Sequence, residues 1–250
     1  MVNMKLDKRN EQLIDSLKNL KLHGMAEDLK NQFENEGLYS TVTFSNRLEQ
    51  MINKQLSYVA ERKYASLVKR AKIRDNLSFN ELKYDPKNDG VTTDEIAFLA
   101  SNSWATDNVM NIFIQGATGA GRTALSSAMA LNLCKAGISV VCYRWCDLVD
   151  EILLRVPDTK ATMQLQKQLC KYTVLLIDDF CLQGKMPSPV KEMLYKVTDS
   201  RWKNKSTVFT SQLNLEEIVQ LIGEGAVGNA IVDRLLNPSK IVTLNEESKR

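Results

Sequence analysis

The sequence lacks the features that place a chain in a membrane or outside the cell. No stretch approaches the ~18 consecutive apolar residues that a membrane-spanning helix needs. The first ten residues include Lys5, Asp7, Lys8 and Arg9 and are not followed by an apolar segment, so no secretory signal can be read in them. We therefore expect a protein that stays in the cytoplasm and has no membrane partner.

Patterns for disulfides and for zinc are equally scarce. The chain has five cysteines, one histidine (His23) and no Cys-x-x-Cys pair. An odd number of cysteines without such spacing supports neither a disulfide framework nor a zinc site. We expect the cysteines to be small core residues.

The composition is otherwise that of an ordinary globular protein, with 44% hydrophobic and 25% charged residues among 250. A chain of this length has room for one sizeable core and a smaller unit beside it, so two unequal domains are expected. The net charge is +3, and residues 1–90 hold 16 Lys+Arg against 13 Asp+Glu. The excess positive charge therefore lies in the N-terminal part.

The N-terminal part predicts a small all-helical domain over residues 1–85, which we expect to bind DNA or a partner. Over Asn10–Phe33, apolar residues recur at three- and four-residue steps, the spacing of amphipathic helices, and His23-Gly24 is expected to form the turn between two of them. A further helix is predicted over Asn46–Ala71. Its inner face is expected to consist of Leu48, Met51, Ile52, Leu56, Val59 and Leu67.

A second domain, residues 86–250, is predicted to be α/β. The boundary is expected in Tyr84–Gly90, which is rich in turn-forming residues and poor in apolar ones. Beyond it, short β-rich apolar runs alternate with helical segments, a pattern that predicts a parallel sheet buried on both faces. The five candidate strands are Asn111–Gln115, Ile138–Tyr143, Thr173–Ile177, Ser206–Thr210 and Lys240–Leu244.

A phosphate-binding loop follows the first of these strands. Gly116–Thr123 fits the pattern G-x-x-x-x-G-[KR]-[ST] and opens a predicted helix, Thr123–Lys135. Glycines in such a loop let successive backbone N–H groups point at phosphate oxygens, and the helix N-terminus adds partial positive charge. An ordinary tight turn between strand and helix is the alternative. The residues expected to bind the nucleotide are Gly116, Ala117, Thr118, Gly119, Ala120, Gly121, Arg122, Thr123 and Ala124.

Arg122 departs from the usual pattern, which has lysine at this position. Lysine is a compact point charge, whereas arginine is longer, planar and suited to forked contacts, so the exchange is not conservative. We expect nucleotide binding to survive this exchange and hydrolysis to be slow.

Two carboxylates follow the apolar strand segment Val174–Ile177. Asp178 is expected to hold Mg²⁺ together with the Thr123 hydroxyl, and Asp179 to orient or polarise the attacking water. The next strand leads to Gln212, a candidate sensor of the γ-phosphate. Taken alone, the acids could be an exposed strand end and Gln212 a hydrogen bonder at the start of a loop. After a phosphate-binding loop, the acids favour a nucleotide site.

Two later features have competing interpretations. Gly223–Gly228 spells G-x-G-x-x-G but follows a helical segment rather than a strand, so we interpret it as a flexible loop and not as a dinucleotide site. Arg234 lies in a helix predicted to start at Asn229. It could stabilise transition-state charge on the γ-phosphate of a neighbouring subunit, or form a salt bridge to Asp233 or another surface acid.

Basic residues crowd into thirteen positions near the end of the long predicted helix, with Tyr58 and Tyr64 interleaved. Such a helix face could neutralise DNA phosphates and give salt-sensitive, largely sequence-independent affinity; a solvated helix face is the alternative. A second, weaker cluster comprises Arg201, Lys203 and Lys205. The residues expected to contact DNA are Arg62, Lys63, Lys69, Arg70, Lys72 and Arg74.

These segments together resemble the AAA+ ATPases, and within their IstB and DnaC-like branch the helper ATPases of IS21-family transposition. The resemblance implies a protein that uses ATP and Mg²⁺, assembles with copies of itself on duplex DNA, bends or clamps that DNA, and engages a transposase of the IstA type. It also implies Arg234 as a finger that acts on the neighbouring subunit, whereas Arg122 departs from the family pattern. The resemblance is carried by Leu20–Ala26, Phe44–Arg74, Gly116–Thr123, Leu176–Phe180, Thr210–Leu213 and Ala230–Leu235.

Two other functions stay open on the sequence alone. A replicative helicase loader uses the same kind of ATPase domain but attaches its helical N-terminus to a helicase, and binding to single strands would favour it. Arg122 also allows a protein in which ATP is only a structural ligand that locks a DNA-coating assembly. Turnover by the Arg122→Lys variant far above that of the native protein would favour that function.

Overall fold

The computed structural model describes residues 7–82, 90–182, 184–223 and 225–245. These residues form two compact units that divide between Ser66 and Leu67. The domain boundary predicted between residues 85 and 86, and the predicted linker up to residue 89, lie outside the described residues. The predicted boundary therefore stays a prediction.

The first unit is helical, as the spacing of its apolar residues predicts. α1 and α2 pack on each other, and α2 meets α4 at Gly24 and at Gln32, whose side-chain oxygen accepts from Arg47 Nε at 2.8 Å. The elements are α1 (Lys8–Asn19), α2 (His23–Glu34), α3 (Glu36–Tyr39) and most of α4 (Phe44–Ala71).

The turn between α1 and α2 lies earlier than predicted. The chain reverses at residues 20–22, where Lys21 adopts a left-handed backbone with φ 63°. His23 and Gly24 instead open α2, so the turn predicted at these two residues is wrong. Gly24 permits a close approach of two helices, because a Cβ on it would lie 2.6 Å from the Cα of Gln55 in α4.

The Gly24→Ala substitution is expected to lower the free energy of unfolding by about 1–3 kcal/mol, because the added methyl group can be accommodated only if backbone moves. Gly37→Ala is the matched control, since a Cβ there would meet no heavy atom of the described chain within 4 Å. Urea unfolding followed by far-UV circular dichroism measures both variants. Equal midpoints would contradict the close approach at Gly24.

The apolar face predicted for α4 is only partly buried. Ile52, Leu56 and Val59 are exposed by 45%, 63% and 53%. Amphipathic spacing identifies an apolar row but does not say whether a partner covers it, and α2 meets α4 beside Gln55 without covering this row. The predicted inner-face residues that are buried or half-buried are Leu48, Met51 and Leu67.

The second unit is an α/β sandwich around one five-stranded sheet, which confirms the predicted fold class. All the strands are parallel, in the order β2-β3-β4-β1-β5. Their near-continuous apolar runs suit strands covered on both faces, and β3 and β4 are buried along their whole length. The strands are β1 (Asn111–Gly116), β2 (Val140–Arg144), β3 (Val174–Asp178), β4 (Ser206–Ser211) and β5 (Ser239–Leu244).

The helices of this unit that follow β1 connect the strands as crossovers. The last of them, α12, starts before the predicted Asn229, so Gly228 lies inside a helix and not in a flexible loop. A Cβ on Gly228 would lie 1.9 Å from the carbonyl oxygen of Gly223, so only glycine fits where α12 passes the preceding chain. The helices are α5 (Thr93–Ser101), α6 (Ser103–Thr106), α7 (Arg122–Lys135), α8 (Trp145–Arg155), α9 (Thr159–Lys171), α10 (Ser188–Arg201), α11 (Leu215–Ile222) and α12 (Ala226–Leu236), with a short 3-10 turn at Phe79–Glu81.

The second predicted basic cluster is buried at Arg201, half-buried at Lys205 and exposed at Lys203. Arg201 is only 2% exposed, and Lys205 Nζ donates to the Lys171 carbonyl at 3.0 Å. The three residues predicted as a basic cluster therefore do not form one free basic surface, because backbone oxygens accept from Arg201 and Lys205, whereas Lys203 is exposed. The acceptors of the Arg201 guanidinium are the carbonyls of Leu169, Tyr172, Thr173 and Ser206 and the hydroxyl of Thr207.

Neither disulfides nor membrane-spanning helices occur in the described part of the chain. All five cysteines are free thiols, and Cys134 and Cys181 are buried. None of the described helices is both long and apolar enough to cross a bilayer.

Candidate functional site

The loop from Gly116 to Gly121 joins β1 to α7. Gly119 and Gly121 both have φ 91°, in the left-handed region that favours glycine. A Cβ on Gly116 would lie 2.7 Å from the carbonyl oxygen of Leu244 in β5, so this position also requires glycine. Backbone geometry thus explains all three glycines of the loop, which turns the chain into the N-terminus of a 14-residue helix.

A cavity of about 670 Å³ opens at this helix end. Its volume lies in the range of pockets that hold ligands of nucleotide size. Of the nine residues predicted to bind nucleotide, six line it, whereas Gly116, Ala117 and Ala120 form the turn behind. Its charged and polar lining side chains are Thr118, Arg122, Thr123, Arg144, Asp179 and Gln212, with Asp75 and Glu81 from the segment that follows α4.

Thr123 and Asp178 face each other at the end of β3. The Thr123 hydroxyl lies 3.2 Å and 3.3 Å from the two carboxylate oxygens of Asp178, and the Thr210 hydroxyl donates to the same carboxylate. A hydroxyl and a carboxylate are oxygen ligands of the kind that Mg²⁺ prefers, with phosphates and water completing its shell. Across the described ranges, no group of three or more His, Cys, Asp or Glu side chains could hold a metal ion. The pair therefore fits a cation that binds together with a phosphate ligand.

Asp179 is bracketed by two arginines. Its carboxylate oxygens lie 3.8 Å from Arg122 Nη2 and 3.5 Å from Arg144 Nε. The Asp179 backbone has φ 55°, and its N–H donates to the Thr210 hydroxyl at 3.1 Å. The carboxylate is thus fixed in the cavity wall between two positive charges.

Sequence reasoning missed Arg144. This residue ends β2, pairs in register with Asp178 at the end of β3, and lines the cavity. The carboxyl ends of parallel strands meet at one edge of a sheet, where ligands bind. A cation directly after a predicted strand is the signal that could have identified it.

Arg122 is held inside the wall of the site. Its side chain is 8% exposed, and its Nη1 is buried without a hydrogen-bond partner among the described residues. Burial lowers the pKa of the guanidinium, and the charges of Asp179 and Asp178 oppose that effect. The group stays charged at neutral pH, and a buried charged donor without an acceptor is costly. An anionic ligand oxygen would relieve that cost.

Gln212 connects the loop to the end of β4. Its side-chain oxygen accepts from the Thr118 hydroxyl at 2.9 Å, and both residues line the cavity. β4 lies between β1 and β3, which is why a residue after β4 reaches the loop after β1. The structure thus brings Gln212, Asp179 and Thr123 to one site, while their chemical roles stay predictions.

Arg234 does not line the cavity of its own chain. Its Nε and Nη2 each lie 2.7 Å from Asp199 Oδ1 on α10. This is the salt bridge to a surface acid that sequence reasoning offered as an alternative, with Asp199 in place of Asp233. The role of Arg234 at a neighbouring subunit stays a prediction.

The six residues predicted to contact DNA do not form one helix face. Lys72 and Arg74 follow the end of α4, belong to the second unit and make contacts within it: the Lys72 ammonium lies 4.8 Å from the Tyr143 ring centroid, and Arg74 pairs with Asp147 at 3.8 Å. The prediction of a common helix face is therefore wrong for these two residues, because α4 ends at Ala71. The exposed basic residues on α4 itself are Arg62, Lys63, Lys69 and Arg70.

Most of the chain is similar to known proteins. The family model of IstB-like ATP binding proteins matches residues 15–250. The insertion sequence IS1162 putative ATP-binding protein of Pseudomonas fluorescens is 30% identical over 203 residues, 80% of this chain and 85% of that protein. The putative insertion sequence ATP-binding protein y4pL of Sinorhizobium fredii is 26% identical over 95% of each chain. The solved structure of the DnaC helicase loader has a TM-score of 0.52 at 18% identity, over 68% of this chain and 97% of that one, a likeness that concerns the fold alone.

Proposed function

The chain belongs to the family of IstB-like ATP binding proteins, and on that premise we propose an AAA+ ATPase that helps a transposase to act on duplex DNA. One observation carries the ATPase part of the proposal. Thr123 at the start of α7 and the consecutive residues Asp178 and Asp179 at the end of β3 come together beside the glycine loop: the Thr123 hydroxyl contacts the Asp178 carboxylate, and Thr123 and Asp179 line the cavity.

Each residue of the site has a proposed role. The backbone of Gly116–Thr123 and the first turn of α7 would bind the phosphates of ATP. Thr123 and Asp178 would hold Mg²⁺, which supplies neutralisation of phosphate charge when bound. Asp179 would orient the attacking water or accept its proton, and Gln212 would contact the γ-phosphate.

The proposed partners follow from the family and from surface charge. The exposed arginines and lysines of α4 would neutralise DNA phosphates without reading bases. Copies of the chain would assemble on the duplex and share ATP sites through Arg234, and the assembly would recruit a transposase of the IstA type. We also propose that Lys72 and Arg74 contribute to DNA binding once their partners Tyr143 and Asp147 release them.

Tight binding to a labelled duplex of about 50 base pairs is expected with ATP and not with ADP or without nucleotide. Fluorescence anisotropy at moderate salt, with single-stranded DNA as competitor, measures this. Binding that prefers single strands would favour the helicase-loader function, and binding that ignores nucleotide would contradict ATP-dependent assembly.

The double variant Lys63→Ala/Lys69→Ala is expected to reduce the slope of log affinity against log salt by about 2, because each phosphate contact contributes about one unit. The matched control is Lys160→Ala/Lys167→Ala, which removes two exposed lysines from α9. A similar loss in both pairs would show that α4 is not the DNA surface.

A nucleotide-locked protein with little turnover is the second candidate function. It is favoured by the position of Asp179 between Arg122 and Arg144, which neutralises the group that would activate water. A large gain of ATP turnover in Arg122→Lys would support this second function. Lysine is shorter than arginine and lacks its forked set of N–H donors, so it would pair less well with the Asp179 carboxylate.

A further inference from the structure

The side chain of Arg234 is fixed on three sides by its own chain. Asp199 Oδ1 accepts from Nε at 2.7 Å and forms an ion pair with Nη2 at 2.7 Å, and the Ala230 carbonyl accepts from Nη1 at 3.1 Å. The guanidinium carbon also lies 5.4 Å from the ring centroid of Tyr195 and 5.7 Å from that of Trp202. Contacts of this kind hold a planar cation in one orientation.

The residues that hold Arg234 are themselves anchored. Tyr195 and Asp199 lie on α10, and Trp202 follows directly after that helix. The Trp202 indole N–H donates to the Asn237 carbonyl at 2.7 Å. Arg201, the last residue of α10, is buried in the network of backbone oxygens described above. The residues that hold Arg234 are therefore tied to the buried network at the end of α10.

The Arg234 guanidinium has more N–H donors than the described contacts use. Arginine has five N–H donors; the described hydrogen bonds use two of them, at Nε and Nη1, while Nη2 forms the ion pair with Asp199. The Arg234 side chain is 21% exposed, and Asp199 is 50% exposed, so the pair lies at the surface of the unit. Among the described residues, at least one N–H on each terminal nitrogen thus has no hydrogen-bond acceptor and can meet an anion that approaches from outside.

We infer that Asp199, together with the rings of Tyr195 and Trp202, positions Arg234 for a phosphate oxygen of the nucleotide bound by the neighbouring subunit. This inference rests on the shared site of the proposed function. An arginine that is already oriented loses little rotamer freedom when the neighbour arrives, so less of the contact is lost to ordering. Asp199 is a positioning residue, since it acts through Arg234 and does not touch the nucleotide.

Mixed assemblies separate the two sides of the shared site. Asp179→Asn subunits have an intact Arg234 but cannot activate water, and Arg234→Ala subunits have an intact nucleotide site but no finger. Neither variant alone should hydrolyse ATP efficiently. A mixture of the two should hydrolyse ATP at those interfaces where an Asp179→Asn subunit supplies Arg234 to the nucleotide site of an Arg234→Ala subunit. Turnover of the mixture therefore reports only on the supplied finger.

Adding Asp199→Ala to the Asp179→Asn subunit is expected to lower the kcat of the mixture roughly ten- to a hundredfold, the cost of a misplaced group, with KM for ATP unchanged. Asp199→Glu in the same place should restore part of the rate. The matched control is Asp233→Ala in the finger-supplying subunit, because it removes an exposed acid next to Arg234 whose contact is with Asn237 instead. Light scattering should give the same assembly size for every mixture.

The outcomes distinguish the inference from its premise. If Asp179→Asn/Arg234→Ala subunits supply the mixture as well as Asp179→Asn subunits do, the shared site is wrong. A second outcome is that Asp179→Asn/Arg234→Ala subunits give no turnover in the mixture, while Asp179→Asn/Asp199→Ala subunits give as much turnover as Asp179→Asn subunits. The shared site then stands, and Asp199 does not position Arg234.

Discussion

The Asp179→Asn variant is expected to hydrolyse ATP roughly 10²- to 10⁴-fold more slowly than the native protein, while binding ATP about tenfold more tightly. The loss of rate follows from removing the group proposed to activate water. The gain in affinity follows from the two ion pairs of Asp179, with Arg122 at 3.8 Å and Arg144 at 3.5 Å. Asparagine has no charge to hold these arginines, so both become available to the phosphates.

The measurement is a pair of assays on one preparation, titration with a fluorescent ATP analogue and steady-state phosphate release. Asp147→Asn is the matched control, because Asp147 also pairs with an arginine, Arg74, but does not line the cavity. It should change neither quantity appreciably. Weaker ATP binding by Asp179→Asn would show that Arg122 and Arg144 do not reach the phosphates, and an unchanged rate would remove Asp179 from the reaction.

The Arg201→Met variant is expected to lose about 3–5 kcal/mol of folding free energy, the cost of breaking a buried charged network. Each of the five N–H donors of Arg201 has an oxygen acceptor, and four of these acceptors are backbone carbonyls. Burial lowers the pKa of this guanidinium to about 10, so it is still charged at neutral pH. Methionine fills similar space but leaves all five oxygens without that donor, which buried polar groups tolerate poorly.

Urea unfolding measures the effect, with Lys203→Met as the control two positions away on the exposed surface. Arg201→Lys should fall between the native protein and Arg201→Met, because an ammonium retains the charge but offers only three donors. A loss of less than 1 kcal/mol in Arg201→Met would mean that water replaces the guanidinium in the network.

The parts of the molecule that depend on local signals could be predicted from the sequence. Each of the five strands is an apolar run bounded by turn residues, and all were predicted within one or two residues of their ends. The glycine loop was predicted because its chemistry requires a contiguous motif. Asp178 and Gln212 could be placed beside it because every parallel strand delivers its last residue to the same edge of the sheet.

The parts that depend on tertiary contacts could not. Arg201 looked like surface charge because composition carries no information on burial, and Lys205 because composition does not show that the Lys171 carbonyl accepts from it. The apolar row Ile52–Leu56–Val59 looked like an inner face because spacing cannot show whether a partner is present. Gly24 looked like a turn because the sequence does not reveal that the backbone of Gln55 passes close to it.

The pairing of Arg122 with Asp179 also bears on how such a site can change over generations. Because each side chain neutralises the other, the effect of a mutation at either position depends on which residue occupies the other one. The Arg122→Lys substitution is thus expected to have one effect in the native chain, where Asp179 is charged, and another in a chain whose residue 179 carries no charge. We therefore expect the two positions to behave as an epistatic pair.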